Sequence, residues 1–117
     1  MRSAIENVVR NALEHANAEV SVSLCATSDN WLSVTVTDDG PGVPEEALGR
    51  LFEPFFQVQG GGRSGRGVGL GLAIAARAVE LHGGTIRAAL FDPRGLVDRR
   101  SLADRGGLAV ELRFRPG

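Results

Sequence analysis

GRGVGLGLAIA, residues 65–75, alternates four glycines with other residues and runs straight into LAIAARAVEL, residues 72–81. The second segment has the composition of a helix. Glycine loses more conformational freedom on folding than any other residue, so four of them before a helix need a reason. A helix N-terminus presents unpaired N–H groups and the positive end of a dipole, which makes an anion the first candidate. A glycine-rich loop alone is a weak signal. It does not follow a strand here, which disfavours a dinucleotide-binding βαβ unit. It also lacks the Lys-Ser/Thr pair of a P-loop.

Working outward, the spacing predicts a helix over about 70–81, ended by His82-Gly83-Gly84 with Gly83 as C-cap. Upstream, residues 57–69 are rich in Gly, Ser and Arg without an apolar pattern and read as a mobile surface loop. PEEALGRLFEPFFQ (44–57) suits a short helix from Pro44, with Glu45 and Glu46 at its favourable end. Before it, EVSVSLCAT and WLSVTVTD alternate around the turn SDN. Val20, Val22, Leu24 and Ala26 share one side, as do Leu32, Val34 and Val36, so the pair reads as a β-hairpin with one buried face. At the chain start, Ile5, Val8, Val9, Ala12, Leu13 and Ala16 form a helical apolar stripe, and Ser3 with Glu6 suggests a capping box. TIRAALF (85–91) and LAVELRF (108–114) read as a further strand pair around a polar excursion. The order is helix, hairpin, loop, helix, strand pair. Its economical solution is an α+β fold, a largely antiparallel sheet with helices on one face.

With 117 residues and 43% hydrophobic content, the chain suits one globular domain. A net charge of −1 points to neither nucleic acid nor an anionic membrane surface. All 13 basic residues are Arg, so any cationic contact to a phosphate must be a guanidinium. The single Cys25 excludes an internal disulfide and a multi-cysteine metal site. Its strand context predicts a buried, inert thiol. No apolar run reaches membrane-spanning length and no signal peptide is visible, so the expectation is a soluble, cytoplasmic chain.

Three further pieces carry chemistry beside the glycines. Asn7 and Asn11 lie four apart and share a helix face. Amide oxygens there can hold a Mg²⁺ already bound to phosphates, although a solvated polar face explains the pair equally simply. Asp38-Asp39-Gly40-Pro41-Gly42 ends a strand. Its glycines allow close backbone approach, and an ionised aspartate can accept from an exocyclic amine such as adenine's. The plain alternative is an acidic turn. LFEPFF (51–56) is an apolar latch or simply core.

Taken in order, these pieces resemble the catalytic and ATP-binding domain of sensor histidine kinases, in the gyrase–chaperone–kinase–mismatch-repair (Bergerat-fold) superfamily. ENVVRNALEHA resembles the N box, DDGPG the G1 box, LFEPFF the F box and GVGLGLAIA the G2 box, and HGGTI resembles the segment opening the next strand. The resemblance covers nearly the whole chain. It implies a two-layer α/β sandwich with a mostly antiparallel mixed sheet, binding ATP and Mg²⁺. It implies that Asn11 holds Mg²⁺ with Asn7 assisting, and that Asp38, beside Gly40 and Gly42, binds the adenine amine. His15 would sit beside the purine, a helix-end surface histidine being the even alternative. The backbone of Gly67, Gly69 and Gly71, with Leu70 and Leu72, would meet the phosphates. Residues about 43–66 would form an ATP lid latched by Phe52, Phe55 and Phe56.

Several positions depart from the family pattern. Glu14 and Gln57 stand where basic residues are usual, and Arg63 and Arg66 in the lid are the candidate substitutes. No upstream phosphoacceptor segment is visible. The resemblance therefore implies a domain truncated at its N-terminus, with a sheet edge left partly open, that donates the γ-phosphate to a histidine on a separate dimerisation domain of the same kinase. A response regulator would act downstream, and the parent kinase could be membrane-anchored without this domain touching the membrane. The position of the glutamate that activates water in the related ATPases is Asn7, which cannot act as a base, so hydrolysis should be slow. Glu6 is adjacent but points about 100° away. The alternatives are an anti-sigma-factor-type serine kinase, or a degenerate nucleotide-binding module without kinase activity.

Overall fold

The computed structural model of the chain describes residues 2–27, 29–54, 56, 70–91 and 107–115. The elements are α1 (Arg2–His15), β1 (Val20–Ala26), β2 (Leu32–Asp38), a 3₁₀ helix (Glu45–Arg50), α2 (Gly71–Leu81), β3 (Thr85–Phe91) and β4 (Gly107–Phe114). The strands form one sheet in the order β1-β2-β4-β3. Among the described residues every pairing is antiparallel, in line with the mostly antiparallel sheet expected.

The two helices pack on one another and on one face of this sheet. The four largest fully buried side chains are Val8 of α1, Val36 of β2, Val79 of α2 and Leu112 of β4. Each of these four elements thus supplies one centre-piece to a single core. Cross-strand register joins them: Val34 pairs with Leu112 and Val36 with Val110.

The turn between β1 and β2 closes as its composition predicts. Thr27 N–H donates to the Trp31 carbonyl at 2.8 Å, and Asn30 takes φ 69°, a left-handed value that asparagine tolerates. Helix α2 ends in a Schellman motif: Gly84 N–H donates to Val79 O and Gly83 N–H to Glu80 O, both at 2.9 Å. Gly83 at φ 74° makes the reversal that a side chain would strain.

Four expectations need correction. First, the sheet side of Val22 and Leu24 is as predicted, since they pair with the buried Val36 and Val34. They are nevertheless 55% and 69% exposed, because β1 is at the sheet edge and the helices pack mainly on the other strands, α1 on β2 and α2 on β3 and β4. Second, Cys25 is exposed, not buried. It alternates with Val22 and Leu24, which puts it with Ser21 and Ser23 on the open face. Third, α1 already begins at Arg2, so Ser3 lies inside the helix and caps nothing, while Glu6 pairs with Arg2 at 2.8 Å. The stripe is also rotated: Ala4, Val8 and Ala12 are its buried centre and Leu13 is 64% exposed. Fourth, Pro44 precedes the 3₁₀ helix instead of occupying its first position.

Truncating a core centre-piece and an uncovered apolar residue should therefore have very different costs. Leu112→Ala is expected to lower unfolding free energy by about 2–5 kcal/mol. Leu24→Ala is expected to change it by no more than about 0.5 kcal/mol. Urea unfolding followed by circular dichroism measures both.

Candidate functional site

Three candidate residues lie along one face of α1, spaced by four: Asn7, Asn11 and His15, all half-buried. They flank the buried Ala4–Val8–Ala12 row, which presses α1 against the sheet and α2. At one end of this face, the Asn7 side chain donates Nδ2–H to the Ser3 carbonyl at 2.9 Å. Its Oδ1 then lies 3.8 Å from where a Cβ on Gly71 would stand. Gly71 is the first residue of α2, and the residue at its N-cap, Leu70, makes no side-chain capping bond. The opening N–H groups of α2 are thus left to other acceptors, and Asn7 stands beside them.

At the other end, His15 meets the exit of β2. A Cβ on Gly40 would come within 2.1 Å of the His15 carbonyl oxygen, so only glycine lets these backbones touch. Asp38, the last residue of β2, is 4% exposed and is the one buried polar or charged side chain among the described residues. Its Oδ1 accepts N–H bonds from Gly40 at 2.9 Å and from Leu108 at 3.4 Å. Both of these backbone bonds fall on Oδ1. Burial pushes the Asp38 carboxyl above the usual carboxylate range, against the opposing pull of those two N–H groups and of the His15 charge. A buried carboxylate with one committed oxygen suits recognition of an amine.

The remaining candidates are placed as follows. Gly42 follows the site with φ 72°. Leu70 is half-buried just before α2, and the Leu72 side chain is buried in the core, so Leu72 can offer a ligand only its backbone. Glu14 is exposed. Val43, Leu48, Phe52 and Phe56 pack against the core, and the Arg50 guanidinium stands 4.7 Å over the Phe56 ring. Phe55, Gln57, Arg63, Arg66, Gly67 and Gly69 lie outside the described residues.

Two contributors escaped sequence reasoning. Gly107, at the start of β4, leaves no room for a side chain: its Cβ would stand 1.7 Å from the Asp38 carbonyl oxygen. That close approach is what brings the Leu108 N–H to the carboxylate. The only signal for it was the Gly106-Gly107 pair before an alternating run. The second is Asp39, whose carboxylate accepts from the backbone N–H of Asn17 at 2.8 Å and of Ala18 at 3.0 Å.

Residues 1–116 match the family model described as histidine kinase-, DNA gyrase B-, and HSP90-like ATPase. The chain is 39% identical over 89 residues to the sensor histidine kinase CpxA of Escherichia coli K12, covering 75% of this chain and 19% of CpxA. The chain therefore spans about a fifth of the length of the curated relatives it matches. Among solved structures, the mycobacterial sensor histidine kinase MprB superposes with a TM-score of 0.80 at 32% identity, over 98% of this chain and 72% of that one. Full-length ShkA, solved in complex with AMPPNP, superposes with a TM-score of 0.73 at 27% identity, over 97% of this chain and 20% of that one.

The buried carboxylate sets a trade between stability and binding. A carboxyl whose folded pKa is raised opposes folding once ionised, so its cost is present above the folded pKa and vanishes below the unfolded one. Asp38→Asn keeps an oxygen for Gly40 and Leu108 but removes that charge. Its Tm at pH 7 should equal or exceed wild type, with a flatter dependence on acidification. Affinity for an ATP analogue should fall tenfold or more, the loss of a charge-assisted hydrogen bond of about 1.5–3 kcal/mol. In the wild type, that affinity should begin to decline on acidification at a pH above the ordinary aspartate range. Differential scanning fluorimetry and calorimetric titration across pH read these outcomes.

Proposed function

The chain belongs to the family of histidine kinase-, DNA gyrase B- and HSP90-like ATPases, and from that premise we propose that it is the ATP-binding catalytic domain of a two-component sensor histidine kinase. The observation that carries this reading is the layout along α1. The amine-accepting Asp38 and His15 sit at one end of the helix face, and Asn7 beside the uncapped start of α2 sits at the other. Eight residues at about 1.5 Å each separate Asn7 from His15, about 12 Å, a span that suits a purine triphosphate.

On this reading Asp38 accepts the exocyclic amine of adenine through Oδ2, and His15 lies beside the base. The Gly40–Gly42 backbone lets the base come close. Asn11 and Asn7 hold Mg²⁺ through amide oxygens, with the α2 N-terminus and the preceding glycines, Gly67 and Gly69, on the phosphates. Arg63 and Arg66 supply guanidinium contacts in place of the basic residues that Glu14 and Gln57 replace. Mg²⁺, when bound, neutralises phosphate charge. The donor set fits: neutral amides, backbone N–H groups and one buried carboxylate together leave the phosphates' charge to the metal and to arginine.

The chemistry assigned to this domain is positioning. The γ-phosphate passes to a histidine on a separate dimerisation domain, and a response regulator acts downstream. The attacking imidazole is itself the nucleophile, so no carboxylate is required at Asn7, and Glu6 is engaged with Arg2 on the helix exterior. Neither Asn7 nor Glu6 then activates water, which predicts slow hydrolysis without an acceptor. The segment from Val43 onward serves as the lid, anchored by Phe52 and Phe56. No helix among the described residues is long and apolar enough to cross a membrane.

Calorimetry with a non-hydrolysable ATP analogue, with and without Mg²⁺, tests the reading. Wild type should bind with an affinity that Mg²⁺ raises, and Asn11→Ala should lose most of that Mg²⁺ dependence while keeping the metal-free affinity. Transfer of labelled γ-phosphate to a supplied phosphoacceptor domain should exceed release of free phosphate. Binding without transfer would favour a nucleotide-binding module without kinase activity. A folded chain that binds no nucleotide would overturn the proposal.

A further inference from the structure

Asp39 follows the proposed adenine ligand directly, but its side chain turns the other way, toward the end of α1. Its Oδ1 accepts from Asn17 N–H at 2.8 Å and from Ala18 N–H at 3.0 Å, and its Oδ2 stands 3.2 Å from the Ala18 nitrogen. The Asn17 side chain returns the contact, donating Nδ2–H to the Asp39 carbonyl at 3.0 Å. The Asp39 N–H donates to the Glu19 carbonyl at 3.3 Å. One residue is therefore bonded to the whole turn that joins α1 to β1. The Ala18, Glu19 and Asn17 N–H groups also hold its carboxyl below the usual carboxylate range.

This staple has a geometric consequence. The row of α1 buried in the core is Ala4, Val8 and Ala12, whose apolar contacts are non-directional. They press the helix inward, while the β1–β2 register, Val20 opposite Asp38, fixes where the strand after the turn begins. The Asp39 bonds are directional, and they act two residues beyond His15. They also act between Asp38 and Gly40, where the backbone already lies against the His15 carbonyl. We propose that Asp39 is the positioning residue of the nucleotide site: by tying the α1–β1 turn to the exit of β2, it sets the distance from Asn11 and His15 to Asp38. The inference rests on the nucleotide reading above and adds to it the element that holds the base end and the phosphate end in register.

A ligand that spans both ends must depend on that register more than a ligand held at one end. Calorimetry should therefore compare adenosine with the Mg²⁺ complex of a non-hydrolysable ATP analogue, on wild type and Asp39→Ala, well below the Tm of each. The expected result is a loss of about tenfold for the analogue and about threefold or less for adenosine. Asp39→Asn, which retains an acceptor oxygen for Asn17 and Ala18, should recover most of the loss. The amide signals of Gly40 and Leu108, whose N–H groups bond Asp38, should shift in the ¹H–¹⁵N spectrum of Asp39→Ala without ligand. A residue needed only for stability would lower Tm and leave affinities and those signals unchanged, which would overturn the proposal. An equal loss for both ligands would overturn it too. Should Asp39→Ala not fold, Asn17→Ala removes the reciprocal bond alone and should show the same ligand ordering with a smaller loss; no loss there overturns the proposal. A wild type that binds neither ligand defeats the nucleotide reading together with this inference. A wild type that binds both, beside an Asp39→Ala that binds equally, defeats this inference alone.

Discussion

Three backbone segments meet at the end of β2 more closely than side chains would allow. The last carbonyl of α1 lies against Gly40, and the start of β4 lies against the Asp38 carbonyl through Gly107. This contact makes Asp38 buried yet satisfied. Its Oδ1 is held by N–H groups from two different segments, so the backbone itself aims the carboxylate. A buried charge is costly unless it is hydrogen-bonded. Here the backbone carries that burden, at the price of forbidding any side chain at two positions.

The helices cover the sheet unevenly, and the unevenness places the site. Core residues come from α1, α2, β2 and β4, while β1 extends beyond the cover. The candidate residues lie along α1, which packs against both α2 and β2. The opposite face of the sheet is polar. There Ser33 and Arg87 both donate to Glu111, at 3.2 Å and 3.0 Å, which ties β2, β4 and β3 together on an open surface. Such exposed pairs add little energy individually. Stability therefore comes chiefly from the helix side, the same side that carries the candidate ligands.

Much of this was legible in the residues because local rules are strong where periodicity is clean. The hairpin, α2 and its Gly83 end, and the β3 and β4 runs follow from alternation, helical spacing and turn chemistry. The errors share one cause. Alternation tells which face a residue takes, not whether anything covers that face, so Val22 and Leu24 point the right way into solvent. Cys25 was misjudged by its strand context although its own parity places it with serines. Ser3 and Glu6 match a cap by type, but helix α1 starts earlier and Arg2 takes Glu6. Gly107 beside Asp38 and Asp39 beside Asn17 are contacts between distant parts of the chain, 69 and 22 positions apart in the numbering. No local pattern in one sequence reports them. Asn7 and Asn11 are ambiguous by spacing alone, and only the order of four motifs makes them candidates.

Helix α1 is a stiff rod, hydrogen-bonded along its whole length and clamped at one end. On the proposed reading it acts as a ruler. A ligand gripped at the β2 exit either reaches the opening turn of α2 or falls short by a fixed number of ångströms. Phosphate number is then read as length before it is read as charge. A shortened nucleotide would keep its hold at the base end and forfeit the contacts at the far end together.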